Sequence, residues 1–148
     1  MLQAHPRLSK LLRRLSDPAK SGVYRSARGD EILEAARGSE LRVLRIGLAG
    51  ATDKDRLLAR VAEELRFPAW FGGNWDALED CLGDLSWMAA GGYVLLFEGA
   101  AQLPLVERGT LVEVLASAAA SWAERGRPFF AVFLDGEAGL PSLFDDRR

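Results

Sequence analysis

Leu8, Leu11, Leu12 and Leu15 recur at helical spacing with Lys10, Arg13 and Arg14 opposite, which predicts a short amphipathic helix ended by Ser16-Asp17-Pro18. Residues 21–28 show no period and read as loop, and residues 31–37 read as a second short helix before Gly38. Leu41, Val43, Ile46 and Leu48 alternate closely enough to predict a first strand. The turn at 47–50 leads to Thr52, the expected N-cap with Asp55 at N3, and to a helix through Leu57, Leu58, Val61 and Leu65 that Phe67-Pro68 ends. Gly72-Gly73 turns the chain, and Asn74 is placed to cap a helix carrying Trp75, Leu78, Leu82 and Leu85 on its apolar face. After Gly91-Gly92 comes an apolar strand at 93–97, then a long Ala-rich helix starting near Pro104 or Gly109 and running to Arg125. Gly126 ends it, and 129–134 forms a third strand. The tail after Asp135 is turn-rich and expected to be loosely held. Strands alternating with helices, two of them apolar throughout, predict an α/β fold with a small parallel sheet covered on both faces.

A chain of 148 residues buries its own core as one domain, without disulfides or metal. Its 49% apolar and 27% charged content excludes a disordered or low-complexity chain. The longest apolar stretch, 88–97, is about half a bilayer span, so no membrane helix is expected. The basic N-terminus is not followed by the apolar run of a secretory leader. The lone Cys81 has no disulfide partner in the chain, which suits a reducing cytoplasm, and beside Leu78 and Leu82 it reads as a packed, inert thiol. With one histidine, His5, neither a zinc site nor a Ser-His or Cys-His pair is supplied. Gly47-Leu48-Ala49-Gly50 lacks the spacing of a phosphate-binding loop and reads as a structural turn. No cofactor, metal or catalytic residue is assigned.

The net charge of −2 hides an asymmetry. Residues 1–30 hold seven Lys/Arg against two Asp (+5), and residues 31–148 hold twelve against nineteen acids (−7). Within 63–84, six acids face only Arg66, a local −5. Such a surface repels nucleic acid and suits a basic protein partner. Asp76 and Asp80 are neighbours at helical spacing, flanked by Glu79 and Asp84, an arrangement that costs roughly 0.2–0.5 kcal/mol per like-charge pair. The stripe reads either as a solvated face or as an anion-presenting surface, with Trp70, Phe71 and Trp75 alongside as candidate interface core. Two acids on one exposed face suit glycoside chemistry badly, since that needs carboxylates on opposite sides of a bond. The basic N-terminal helix could touch nucleic acid or anionic lipid, but it is short, and docking on its own domain or on a second copy is the better reading.

The run Trp70-Phe71-Gly72-Gly73-Asn74-Trp75-Asp76-Ala77-Leu78-Glu79-Asp80-Cys81-Leu82 resembles the signature of the barstar family, intracellular inhibitors of the ribonuclease barnase. The order of elements is similar over about 42–134. The resemblance implies a three-layer α/β/α fold with a small three-stranded parallel sheet in residues 41–135, preceded by a helical extension (1–40) and followed by a tail (136–148). It also implies a mechanism: the signature helix and the loop before it plug a ribonuclease active site. Carried over by position, Asp80 takes the place of the chief inhibitory aspartate and Asp76 of its upstream partner. Trp70 replaces a contact tyrosine, and Asn74 and Gly72 match the loop that shapes the approach.

Departures matter too. Glu79 stands where barstar has a tryptophan, and Asp84-Leu85 replaces Gly-Trp, with Trp87 two positions late. The family's late-helix contact glutamate falls on Ser121, with Glu124 one turn on. The expectation is a non-enzymatic cytoplasmic immunity protein that binds a basic, extracellular-type ribonuclease one-to-one, using Asp80, Asp76, Trp70, Asn74, Gly72, Glu79 and Asp84. No nucleic acid and no membrane are expected as partners, and self-association is left open. The alternative is a barstar-fold module for a different nuclease toxin or regulator.

Overall fold

The structure, a computed structural model, describes residues 6–135 and 139–144; His5 lies outside the described residues. Strands β1 (Gly22–Arg25), β2 (Leu41–Gly47), β3 (Gly92–Glu98) and β4 (Phe129–Phe133) form one parallel sheet in the spatial order β1-β4-β3-β2. Around it lie α1 (Pro6–Leu15), α2 (Gly29–Ala36), α3 (Lys54–Glu64), α4 (Trp75–Asp84) and α5 (Leu105–Glu124). Among the described residues, no helix is long and apolar enough to cross a membrane.

The central strands explain the layering. Successive side chains of a strand point to opposite faces. Tyr93, Leu95 and Phe97 of β3, with Phe129, Ala131 and Phe133 of β4, pack under α3, α4 and α5. Val94, Leu96, Phe130 and Val132 point the other way, onto Leu11 and Leu15 of α1 and Ile32 and Ala35 of α2. Both faces are covered, so β3 and β4 are buried along their length and read in the sequence as unbroken apolar runs. The stacked pair Phe97–Phe133, 5.0 Å between ring centres, lies deep in the larger core; each such ring contributes about 1.5–3 kcal/mol by leaving water.

Two expectations need correction. The sheet has four strands, not three, and the additional one lies in residues 21–28, which read as loop. Gly22 to Arg25 pair with β4 from Phe130 to Phe133. The strand is four residues long, sits at an edge and is bracketed by serines, so it shows no period of its own. Its side chains nonetheless divide as a strand requires: Val23 joins the core under α5, while Tyr24 stacks on Phe130 at 5.6 Å.

Residues 139–144 of the tail are also better held than expected; 136–138 and 145–148 lie outside the described residues. The Arg25 N–H donates to the Pro141 carbonyl (2.8 Å), the Leu143 N–H donates to the Arg25 carbonyl (2.9 Å), and Leu143 is fully buried. These bonds satisfy backbone groups that an outer strand would otherwise leave open. Two smaller shifts have local causes. Asp53, not Thr52, caps α3, because its extended backbone lets the carboxylate accept the Arg56 N–H at 2.9 Å. The long helix starts at Leu105, directly after Pro104, the earlier of its two expected starts.

Candidate functional site

The site begins where α3 ends. Phe67, Phe71 and Trp87 form an edge-to-face cluster with ring centres 5.0 and 5.9 Å apart. The Trp87 indole N–H donates to the Leu65 carbonyl at 2.9 Å, which fixes the cluster to the end of α3. Trp70 leans edge-on against Trp87 at 6.5 Å and keeps 58% of its surface exposed. Trp87 thus props the one large aromatic that the loop presents to solvent. Gly73 has φ +73°, a left-handed conformation that favours glycine, whereas a Cβ on exposed Gly72 would meet only ordinary contacts. Glycine at 72 therefore has no reason inside the chain. It leaves the backbone open to close approach from outside.

Asn74 caps α4 as expected, its side-chain oxygen accepting the Ala77 N–H at 2.8 Å. Leu78, Cys81 and Leu82 turn inward and are fully buried, while Asp76, Glu79, Asp80 and Asp84 are exposed. Asp76, Asp80 and Asp84 follow one another at four-residue spacing, one above the next. Among the described residues none of these three is ion-paired; the ion pairs are Arg7–Glu31, Arg37–Glu34 and Arg45 with Asp30 and Glu98. Asp76 lies in the first turn, where the helix dipole favours an anion. Asp80 and Asp84 lie toward the other end, where it does not, and no base in the last turn offsets them.

The C-terminal end of α4 is secured from α5 instead. The Trp122 indole donates to the Leu82 carbonyl at 2.8 Å, and the Arg125 guanidinium, 3.8 Å above the Trp122 ring, donates to the Gly83 carbonyl at 2.7 Å. Two carbonyls that a helix end leaves unpaired are thereby satisfied. Leu85 then closes α4 in a left-handed conformation (φ 48°) with its side chain in the core, so it contributes nothing to the rim. Burial first, then the charges of Asp80 and Asp84, push the Cys81 thiol from its ordinary 9.0 up to about 11, so it stays protonated at neutral pH.

All seven residues singled out in the sequence (Trp70, Gly72, Asn74, Asp76, Glu79, Asp80 and Asp84) are exposed along the loop and the outer side of α4. Their employment differs. Asn74 is a structural cap, and Glu79 accepts a hydrogen bond from the Ser117 hydroxyl of α5 at 2.8 Å, which holds it against the neighbouring helix. Asp84 accepts only a long bond from Ser86 (3.3 Å). On α5, Ser121 and Glu124 fall on the same side as Ser117, the Ser121 hydroxyl accepting from Arg125 at 3.3 Å. Ser117, Trp87 and Arg125 were not foreseen as parts of this surface. Each acts across elements distant in sequence, and only Trp87, an aromatic close behind the signature, left any local signal. Among the described residues, no group of three or more His, Cys, Asp and Glu is placed to hold a metal ion. What the surface can do chemically is present closely spaced, unneutralised carboxylates next to an exposed indole.

No curated protein matches the chain. Eight chains of solved structures do. One is the Aeropyrum pernix ORC2 protein in its ADPNP–ADP complexes, at 14% identity with a TM-score of 0.47; the match covers 86% of this chain but spans only 40% of that one. The family model described as Barstar (barnase inhibitor) matches residues 41–134, a span holding β2, the loop, α4 and α5, and β4. Over well more than half of its length, this chain belongs to the barstar family.

Proposed function

We propose that the chain is an immunity-type inhibitor, acting in the cytoplasm, that blocks the cationic active site of a barnase-type ribonuclease one-to-one with α4 and the loop before it. The observation that carries this reading is the stack Asp76, Asp80, Asp84: exposed, without ion pairs among the described residues, and set against the dipole of its own helix over its second half. A ribonuclease gathers cations to stabilise charge on a transferring phosphate. Carboxylates held on a rigid helix stand in for that phosphate and pair with its Arg and Lys. Close charge pairs of this kind couple by about 1.5–7 kcal/mol, a range set by the barnase–barstar complex itself and not inferred from this chain. The helix repulsion is small beside it. Asp80 and Asp76 serve as anchors, Trp70 packs at the edge, Gly72 admits the partner's surface, Asn74 fixes the helix start, and Glu79 and Asp84 form the rim. A neutral, buried Cys81 suits a reducing compartment.

One observation favours a second reading, the same fold set against a different nuclease toxin or regulator. Glu79 is held by Ser117 and Asp84 extends the acidic stack, so the rim differs from the tryptophan and glycine of barstar at these places. Inhibition of purified barnase-type ribonuclease by the wild type and by Asp80→Ala, side by side, decides. Tight inhibition lost in the variant supports the first reading. A well-folded wild type that does not inhibit moves the question to the second, and an unimpaired Asp80→Ala overturns the role of α4.

A further inference from the structure

The sheet has a second charged pole that the inhibitor reading does not use. On the face opposite α4, a cavity of about 880 Å³ opens between α1, the turn Pro18–Lys20 and residues 143–144. Six cations line it: Arg7, Lys10, Arg13, Arg14, Lys20 and Arg28. Arg7 is paired with Glu31 at 3.2 Å. None of the other five is ion-paired among the described residues. Asp17, the one acid in the lining among the described residues, accepts the Ala19 N–H at 3.0 Å and so caps the turn. Arg14 Nε is buried with no hydrogen-bond partner among the described residues. A buried, unmatched guanidinium nitrogen is costly and uncommon in a folded protein.

We propose that this cavity binds a nucleotide-sized ligand carrying two or more closely spaced phosphates. The sequence alone made α1 a helix that docks on its own domain or on a second copy, and its apolar side packs on its own domain through Leu11 and Leu15. Its basic side does something a merely solvated face does not: with Lys20 and Arg28 from other segments it converges on one concavity. Four of the six cations are arginines, whose planar donor forks match phosphate oxygens better than a point charge does. The volume falls within the range of small-ligand sites, about 300–1,000 Å³. Its apolar wall, Leu11, Leu143 and Phe144, offers a surface for a base. The Arg28 guanidinium, 4.3 Å over the Phe144 ring, already shows that this ring takes a planar partner. Closely spaced phosphates occur on a free nucleotide and along a nucleic acid strand, and the test separates these sources. The proposal stands independently of ribonuclease inhibition, because the sheet lies between the two poles.

The experiment is calorimetric titration of the full chain with pyrophosphate, with a nucleoside triphosphate and with a short single-stranded oligonucleotide, at low and at physiological salt. Binding of pyrophosphate and the triphosphate that weakens with salt assigns a free polyphosphate. Binding of the oligonucleotide alone would overturn the nucleotide-sized ligand in favour of a strand. Lys10→Gln with Arg13→Gln, both exposed positions, is expected to weaken binding at least about tenfold with an unchanged melting curve. Arg14→Gln is the second variant, expected to weaken binding as well. Asp80→Ala, on the opposite pole, is expected to leave it unchanged. Absence of binding by all three probes overturns the proposal. So does unaltered binding by the double variant, or equal affinity for a polyglutamate peptide.

Discussion

α4 and α1 are opposites in nearly the same format: ten residues each, four acids and no base in the one, four bases and no acid in the other, on opposite faces of one sheet. They differ in how each charge pattern meets the backbone that bears it. Arg13 and Arg14 lie in the last turn of α1, where the helix dipole favours cations. Asp80 and Asp84 oppose the dipole of α4, and Asp76, Asp80 and Asp84 repel one another along it. The charge of α1 therefore has a partial explanation in local stability, and only its convergence on a cavity asks for more. The charge of α4 has such an explanation only at Asp76, and its absence at Asp80 and Asp84 is the stronger sign that their reason lies in a partner.

The comparison is sharpest at Asp80. Asp80→Ala is expected to weaken ribonuclease binding by about 2–5 kcal/mol, roughly 30- to 5,000-fold, in an inhibition assay. The same change removes two like-charge contacts and adds a better helix former, so the melting temperature is expected to rise by about 2–4 °C. A fall in both would make Asp80 structural and dissolve the contrast. Next comes the anchoring of α1. Leu15→Ala is expected to cost about 2–3 kcal/mol in urea unfolding, because Leu15 is fully buried; a loss below about 0.5 kcal/mol would mark α1 as an appendage.

Trp122→Phe keeps an aromatic ring in place but replaces the indole with a smaller one and strips the donor from the Leu82 carbonyl, with an expected cost of about 1–3 kcal/mol. Alkaline pH gives a smaller effect with a definite sign. The Cys81 thiol ionises near 9.0 when unfolded and near 11 when folded, so the contribution it makes is whole below pH 9 and is lost as pH rises toward 11. Unfolding midpoints across that range should fall more steeply for the wild type than for Cys81→Ala, and Asp80→Ala should soften the fall. Smallest is Ser117→Ala, which releases Glu79: a change within about threefold in affinity and about 0.5 kcal/mol in stability. A large loss of affinity there would move Glu79 from the rim to the centre.

What the sequence made legible follows how local each signal is. The buried strands β3 and β4 announced themselves as apolar runs, the cap Asn74 as a side chain beside its own helix, and the acids of α4 by spacing alone. β1 was missed because four residues at a sheet edge show no period, and what makes them a strand is β4, far away in the chain. Asp53 displaced Thr52 as a cap because the helix starts one residue later, where the extended backbone of Asp53 brings its carboxylate to the Arg56 N–H. The Ser117–Glu79 and Trp122–Leu82 bonds join helices 38 and 40 residues apart and are invisible to any window. The basic cavity was visible only as a charge surplus in the first thirty residues, since its concavity is made by four separate segments.

The pairing of β1 with β4 also sets an order of events. Ser21 and Phe129 share a hydrogen bond across 108 residues of chain. On the ribosome β1 is made well before its partner strand, which emerges only after the intervening chain has been synthesised. Loop-closure entropy grows only slowly with length, so the delay is expected to cost time more than final stability. Until then the basic arm of α1 and β1 lacks its partner strand, and its leucines have α2 to pack on but not Phe130 and Val132. Seating that arm is the expected closing step of folding, and a nascent chain cut off before Phe129 would lack the edge on which to seat it.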